Sequence, residues 1–161
     1  MHRLPIPSPA QDREAHYDSA WPGLEALLSA APDVIAAMAN TAAVLHATLG
    51  MHWTGFYRVM GNDLLLGPFQ GPPACERIAY GKGVCGSAWL QDRTLVVPDV
   101  ALFPGHIACS ALSRSEIVVP VRNGRGQVVA VLDIDSVEPD DFSSIDAWHL
   151  ERICALLGTH A

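Results

Sequence analysis

SEIVVPVRNGRGQVVAVLDIDS, residues 115–136, decides the fold. SEIVVPV and QVVAVLDIDS are rich in β-branched residues, and the intervening RNGRG supplies the Asn and Gly that a tight reversal needs. The stretch predicts an antiparallel hairpin. Across that ladder Glu116 and Asp135 are brought together. Asp133 and Asp135 stand at i and i+2, so both point to one face of their strand. Their neighbours Val129, Val131, Leu132 and Ile134 are apolar. Like charges on one face of a hydrophobic strand are costly unless a cation is held there, or unless the strand is ending and both are solvated. Three converging carboxyls suit a cationic or zwitterionic small ligand better than a phosphate.

Working outward, GLEALLSAAPDVIAAMANTAAVLHATLG (23–50) predicts two helices with a break near Ala30, Pro32 suiting the first turn of the second. Val34, Met38, Ala42, Leu45 and Leu49 recur at helical spacing, and Gly50 suits the C-cap. HWTGFYRVM, the turn GND and LLLGPF predict an earlier hairpin. Trp53 and Tyr57 share one face of its first strand, as core residues or as an aromatic wall for a ligand. GSAWLQD reads as a short helix and TLVVPDV as a strand. DDFSSIDAWHLERICALLGTH reads as a Ser-capped amphipathic helix at the end. Residues 1–19, Pro-rich and polar, read as a loose or docked N-terminal arm, leaving 20–161 as one domain. With no regular βαβ alternation and no G-x-G-x-x-G, the element order predicts an α+β domain: a central antiparallel sheet with helices on one face.

The bulk numbers agree with a single globular domain. The chain has 161 residues, half of them hydrophobic. Ten Lys and Arg among seventeen Asp and Glu give a net charge of −7 and leave no basic footprint for nucleic acid. No apolar run reaches the roughly 20 residues that span a bilayer, and the N-terminus has no secretory h-region. The expectation is a cytoplasmic protein whose four cysteines are reduced at rest.

Cys154, beside Leu150 and Leu157 on the last helix, reads as a buried inert thiol. Cys75, Cys85 and Cys109 sit in loops. A zinc site built from these three and His106 fails on spacing, because nine residues separate Cys75 from Cys85 and twenty-three separate Cys85 from Cys109. A redox role needs a thiolate. Cys85, at a helix start near Lys82, and Cys109, near His106 and Arg114, both have settings that can lower a thiol pKa. A second cysteine must approach to resolve a sulfenic acid.

Together WTGFY, LLLGPFQGPPACERIAYGKGVCGSAW, VPDVALFPGHIACSALSRSEIVVPV and GQVVAVLDIDS resemble the free methionine-(R)-sulfoxide reductases, a family of single GAF domains, over nearly the whole chain from about Leu24. The resemblance implies a sheet of about six strands with helices on one face and a ligand cavity on the other. It implies Cys109 as nucleophile, Cys75 as resolving partner and Cys85 lining the site, with either Cys75 or Cys85 open as the resolving thiol. Glu116, Asp133 and Asp135 would hold the substrate, and Trp53 and Tyr57 would shape the pocket; crowding of the carboxylates raises one pKa enough to protonate the leaving oxygen, with Glu116 the first candidate and Asp135 or Asp133 the second. The substrate would be free methionine (R)-sulfoxide and the recycling reductant thioredoxin, with no metal or organic cofactor and with room for a homodimer through terminal helices. The other reading is a sensory GAF module that binds a small metabolite or cyclic nucleotide without turnover.

Overall fold

A computed structural model describes residues 9–161. In chain order its elements are α1 (Pro9–Ala30), α2 (Val34–Leu49), β1 (Trp53–Met60), β2 (Asp63–Gln70), β3 (Arg77–Ala79), α3 (Gly83–Gln91), β4 (Leu95–Val97), a 3-10 turn (Val100–Leu102), β5 (Ser115–Arg122), β6 (Val128–Ser136) and α4 (Ser144–Gly158). The strands form one antiparallel sheet in the order β3-β2-β1-β6-β5-β4.

The 115–136 hairpin forms as expected. Asn123 closes its turn, its side-chain oxygen accepting from the Arg125 and Gln127 N–H groups at 3.0 and 3.1 Å. The ladder then pairs Glu116 with Asp135 and Val118 with Asp133. Alternation sorts the two faces. Ile117, Val119, Val121, Ala130, Leu132 and Ile134 enter one buried cluster with residues of α1, α2 and α4. Val118 and Val131 enter the other. Each fully buried Val, Leu or Ile contributes about 1.5–3 kcal/mol, so this alternation holds the hairpin in register.

Three helices pack on the first face. Asp33 caps α2 by accepting from the Ala36 N–H at 2.8 Å, and Pro32 precedes this cap rather than lying in the first turn. Gly50 ends α2 in the left-handed region at φ 65°. Ser143 and Asp146 form a capping box at the start of α4. The fourth helix departs from the one-face expectation: Val84, Cys85 and Ala88 of α3 pack on the opposite face with Val118 and Val131.

Of the two forms open to the N-terminal arm, the docked one is found from Pro9 onward, as part of a helix. Residues 1–8 lie outside the described residues, but α1 runs without a break through residue 19. Tyr17 is buried against the same core as Leu24 and Leu28. Its hydroxyl donates to Asp146 at 2.7 Å, and Arg13 pairs with Asp141 and Asp146 at 2.7 and 2.9 Å. These partners lie more than 120 residues away, so a polar, Pro-flanked stretch looks loose when only local pattern is read. Among the described residues no helix is long and apolar enough to cross a membrane.

Gly55 fits where β1, β2 and β6 meet, opposite Phe69 and Asp133. A Cβ there would collide with the Phe69 Cβ and stand 2.7 Å from the Trp53 ring. The missing side chain lets Trp53 stack on Phe69 with ring centroids 5.3 Å apart. Overpacking this spot should cost about 1–3 kcal/mol. Gly55→Ala is therefore expected to lower the thermal midpoint by several degrees, and an unchanged melting curve would show that the ring can move aside freely.

Candidate active site

The second face of the sheet carries a cavity between the central strands, α3 and the loop 103–114. β5 and β6 deliver its acidic wall: Glu116, Asp133 and Asp135 all line it. β1 delivers Trp53 and Tyr57, α3 delivers Cys85, and the loop delivers His106, Ile107 and Cys109. Every residue expected at the site lines this cavity except Cys75, which joins it through a disulfide to Cys109 with Cα atoms 5.4 Å apart.

The aromatic wall ties down the segment that carries Cys75, and His52 holds the one that carries Cys109. The Tyr57 hydroxyl donates to the Cys75 carbonyl at 2.9 Å, and the Trp53 indole N–H donates to the Pro72 carbonyl at 3.1 Å. The two rings stack with centroids 5.8 Å apart. His52 Nε2 meets the Ser110 hydroxyl at 3.0 Å, holding the residue after Cys109. Tyr57 therefore both shapes the pocket and positions the backbone of Cys75. That bond, the His52–Ser110 contact and the hydrogen bond between Ser113 and Asp135 carry no local sequence signal and were not foreseen.

Two members of the acidic wall are buried, Glu116 and Asp133 at 5% and 6% exposed, and Asp135 is half-buried. Burial first, and the Asp135 charge second, push Glu116 up to about 8. Asp133 is raised well above the usual range by burial and then by Glu116, and Asp135 by burial and then by Asp133. These are the conditions that keep a carboxylic acid protonated near neutral pH. His106 Nε2 lies 3.7 Å from Glu116 Oε2, so the histidine faces the acidic wall, and burial lowers its pKa.

Cys85 contradicts one expectation. Its place at the start of α3 near Lys82 suggested an activated thiol. It is instead buried and faces carboxyls, so desolvation and then Asp133 raise its pKa. Cys154 is free and buried in the helix-facing core, as read from its neighbours.

One polar atom stands out. Asp133 Oδ1 is buried with no hydrogen-bond partner. Cys85, Glu116 and Asp133 place a sulfur and two carboxyl oxygens within 4.8 Å of one another. A guest that donates hydrogen bonds and carries positive charge would satisfy this wall, and an ammonium group has both properties. Beside it stands a disulfide whose cysteines are both partly exposed. The site can thus bind a small cation-bearing molecule, supply a proton and exchange two electrons.

The GAF domain family model matches residues 33–160. GAF domain-containing protein A of Dictyostelium discoideum is 49% identical over 146 residues, covering 90% of this chain and 92% of that protein. The free methionine-R-sulfoxide reductase of Escherichia coli is 44% identical over 135 residues, covering 82% and 80%. The crystal structure of free methionine-R-sulfoxide reductase from Neisseria meningitidis in complex with its substrate superposes with a TM-score of 0.90 at 44% identity, covering 99% of this chain and 95% of that one.

The raised acids link stability to pH. Glu116 in the unfolded chain loses its proton near its ordinary 4.5, whereas in the folded chain it keeps it to about 8. Its contribution to stability is fully present below the lower value and is lost as pH rises through the upper one. The thermal midpoint should fall across that window, and Glu116→Gln should flatten the fall. Melting curves of both proteins from acid to mildly alkaline pH test this, and equal slopes would remove Glu116 from that role.

Proposed function

The chain belongs to the free methionine-(R)-sulfoxide reductase family of GAF domains, and we propose that it reduces free methionine (R)-sulfoxide to methionine with its own cysteines as the electron source. The observation that carries this reading is that one sulfur of a partly exposed disulfide lines the same cavity as two buried carboxyls and a half-buried third.

In the reduced protein the Cys109 thiolate attacks the sulfoxide sulfur, since only the thiolate is nucleophilic. Glu116, kept protonated at neutral pH, delivers a proton to the sulfoxide oxygen. In the adduct so formed the hydroxyl passes from the substrate sulfur to Cys109 Sγ as the sulfur–sulfur and substrate sulfur–oxygen bonds both break, so methionine leaves and Cys109 becomes a sulfenic acid. The Cys75 thiol displaces that oxygen as water and closes the Cys75–Cys109 disulfide. Two electrons have passed from two thiols to the sulfoxide. A thioredoxin-type dithiol then reduces the disulfide by exchange, which suits a reducing, cytoplasmic compartment. No metal or organic cofactor enters this balance.

Asp133 and Asp135 hold the α-ammonium, and Trp53 with Tyr57 walls the side chain. Asp133 Oδ1, otherwise unpartnered, gains a charge-assisted hydrogen bond from that ammonium. Because the ammonium is the recognised group, a peptide-bound or N-acetylated methionine sulfoxide leaves the acid wall unpaired and is refused.

Turnover of both epimers, free and N-acetylated, is measured by NADPH consumption coupled to thioredoxin. The free (R) epimer is expected to react and the acetylated one not. Cys109→Ser should abolish methionine formation, and Cys75→Ser should release about one methionine per chain before stalling without the resolving thiol. Glu116→Gln should lower kcat by about a hundredfold or more, and the wild-type rate should decline as pH rises through about 8, where Glu116 loses its proton. Equal rates on free and acetylated substrate would sink the assignment.

A further inference from the structure

The loop that carries Cys109 is unusually apolar on its outside. Residues 100–113, VALFPGHIACSALS, contain no Asp, Glu, Lys or Arg in a chain that is 17% charged. A backbone bond from the Val100 N–H to the Arg114 carbonyl at 2.9 Å closes the loop at its base, as in a compact Ω-loop. Leu102 is 80% exposed, Leu112 62% and Ile107 37%. No other eleven-residue stretch among the described residues exposes three large hydrophobic side chains.

The apolar surface is continuous with two other features. On one side Leu102, Phe103 and Pro104 line a shallow groove with Val96 of β4. That strand is a sheet edge, paired only with β5, so its outer backbone groups are open to an added strand. On the other side Ile107 lines the cavity together with Cys109. Single exposed leucines are ordinary, but three large exposed hydrophobics on the charge-free loop that carries one half of a partly exposed disulfide mark a contact surface.

The geometry points to the 100–112 loop and the β4 edge as the docking surface for a protein dithiol of the thioredoxin type. The inference rests on the reading of Cys75–Cys109 as a bond opened in each cycle, and that bond identifies the occupant. A partner thiolate attacks one sulfur, a mixed disulfide forms, and the other cysteine leaves as a thiolate. The partner's second thiol then attacks the mixed disulfide and releases the first cysteine. The partner ends as a disulfide, and the two electrons and two protons reside on Cys75 and Cys109. Attack requires the partner's reactive sulfur to reach a disulfide that is only partly exposed. A neutral apolar collar gives a protein surface something to bury while it holds that position, and a small thiol needs no collar.

The rate of disulfide reduction in the oxidised full-length protein tests this without any sulfoxide. Reduced thioredoxin and dithiothreitol are compared by stopped flow on wild type, Leu102→Asp, Leu112→Asp and the double variant. The double variant should lose about tenfold or more of its rate with thioredoxin, in the range of a disrupted interface anchor, while its rate with dithiothreitol stays within about twofold. Because residues 100–113 carry no Asp, Glu, Lys or Arg and the groove beside them is lined by one base and one acid, Arg93 and Asp99, the wild-type rate with thioredoxin should also change little with ionic strength. An unchanged thioredoxin rate in the double variant overturns the proposal, and so does an equal loss with both reductants. The milder Leu102→Gln/Leu112→Gln pair answers the same question if the aspartates disturb the loop. Failure of the reductase reading would be seen separately, as absent sulfoxide turnover driven by dithiothreitol, and would leave the two disulfide rates to be compared as before.

Discussion

The pairing of β5 with β6 is the constraint on which the molecule depends. Its register places Ile117, Leu132 and Ile134 toward the helices and Glu116, Asp133 and Asp135 toward the cavity. A slip of one residue would exchange the two faces, burying three acids under α2 and α4 and turning the core residues into the site. The register is held at both ends. Asn123 closes the turn, while at the open end Ser115 donates to the Glu138 carbonyl at 2.6 Å and Ser136 bonds Asp141. Asp141 is also the partner of Arg13 in α1. The first helix thus clamps the end of the hairpin from which Glu116 and Asp135 project.

That arrangement carries an electrostatic cost. Three carboxyls on adjacent strands with little water cannot all ionise, so protonation relieves the repulsion. An unpartnered Asp133 oxygen adds a further penalty, since a buried acceptor without a donor loses its hydration for nothing. Surrounding structure offsets both, chiefly the apolar core on the helix side of the same strands. Strain of this kind is retained where a ligand relieves it, and an ammonium group supplies the missing donor and the missing charge together.

The legible parts of the fold were those written in local pattern. Both hairpins, the α2 cap at Gly50, the Ser cap of α4 and the convergence of Glu116 with Asp135 follow from period and turn chemistry over a few residues. The unread parts depend on partners far along the chain. The first half of α1 looked like an arm because Tyr17 and Arg13 find their bonds more than 120 residues downstream. Cys85 looked activated by its helix position, yet the groups facing it come from β5 and β6 and reverse the shift. The second role of Tyr57, as donor to the Cys75 carbonyl, was equally hidden. Cys75 and Cys109 are 34 residues apart, and spacing alone did not choose between Cys75 and Cys85 as the partner.

The site divides into a fixed half and a movable half, and the division suits a redox cycle. The acids and aromatics stand on central strands, locked by ladder bonds and by packing on both faces. The two bonded cysteines stand on loops, each tethered by few hydrogen bonds: Tyr57 to the Cys75 carbonyl, and His52 to the serine after Cys109. In the cycle proposed above, a thiol pair that opens for substrate, closes on a sulfenic acid and opens again for a reductant needs backbone that shifts by small amounts without unfolding anything else. A proton donor and an ammonium site need the opposite, because their geometry must be the same on every turnover. Placing the first pair in loops and the second set on the sheet lets one small domain meet both requirements.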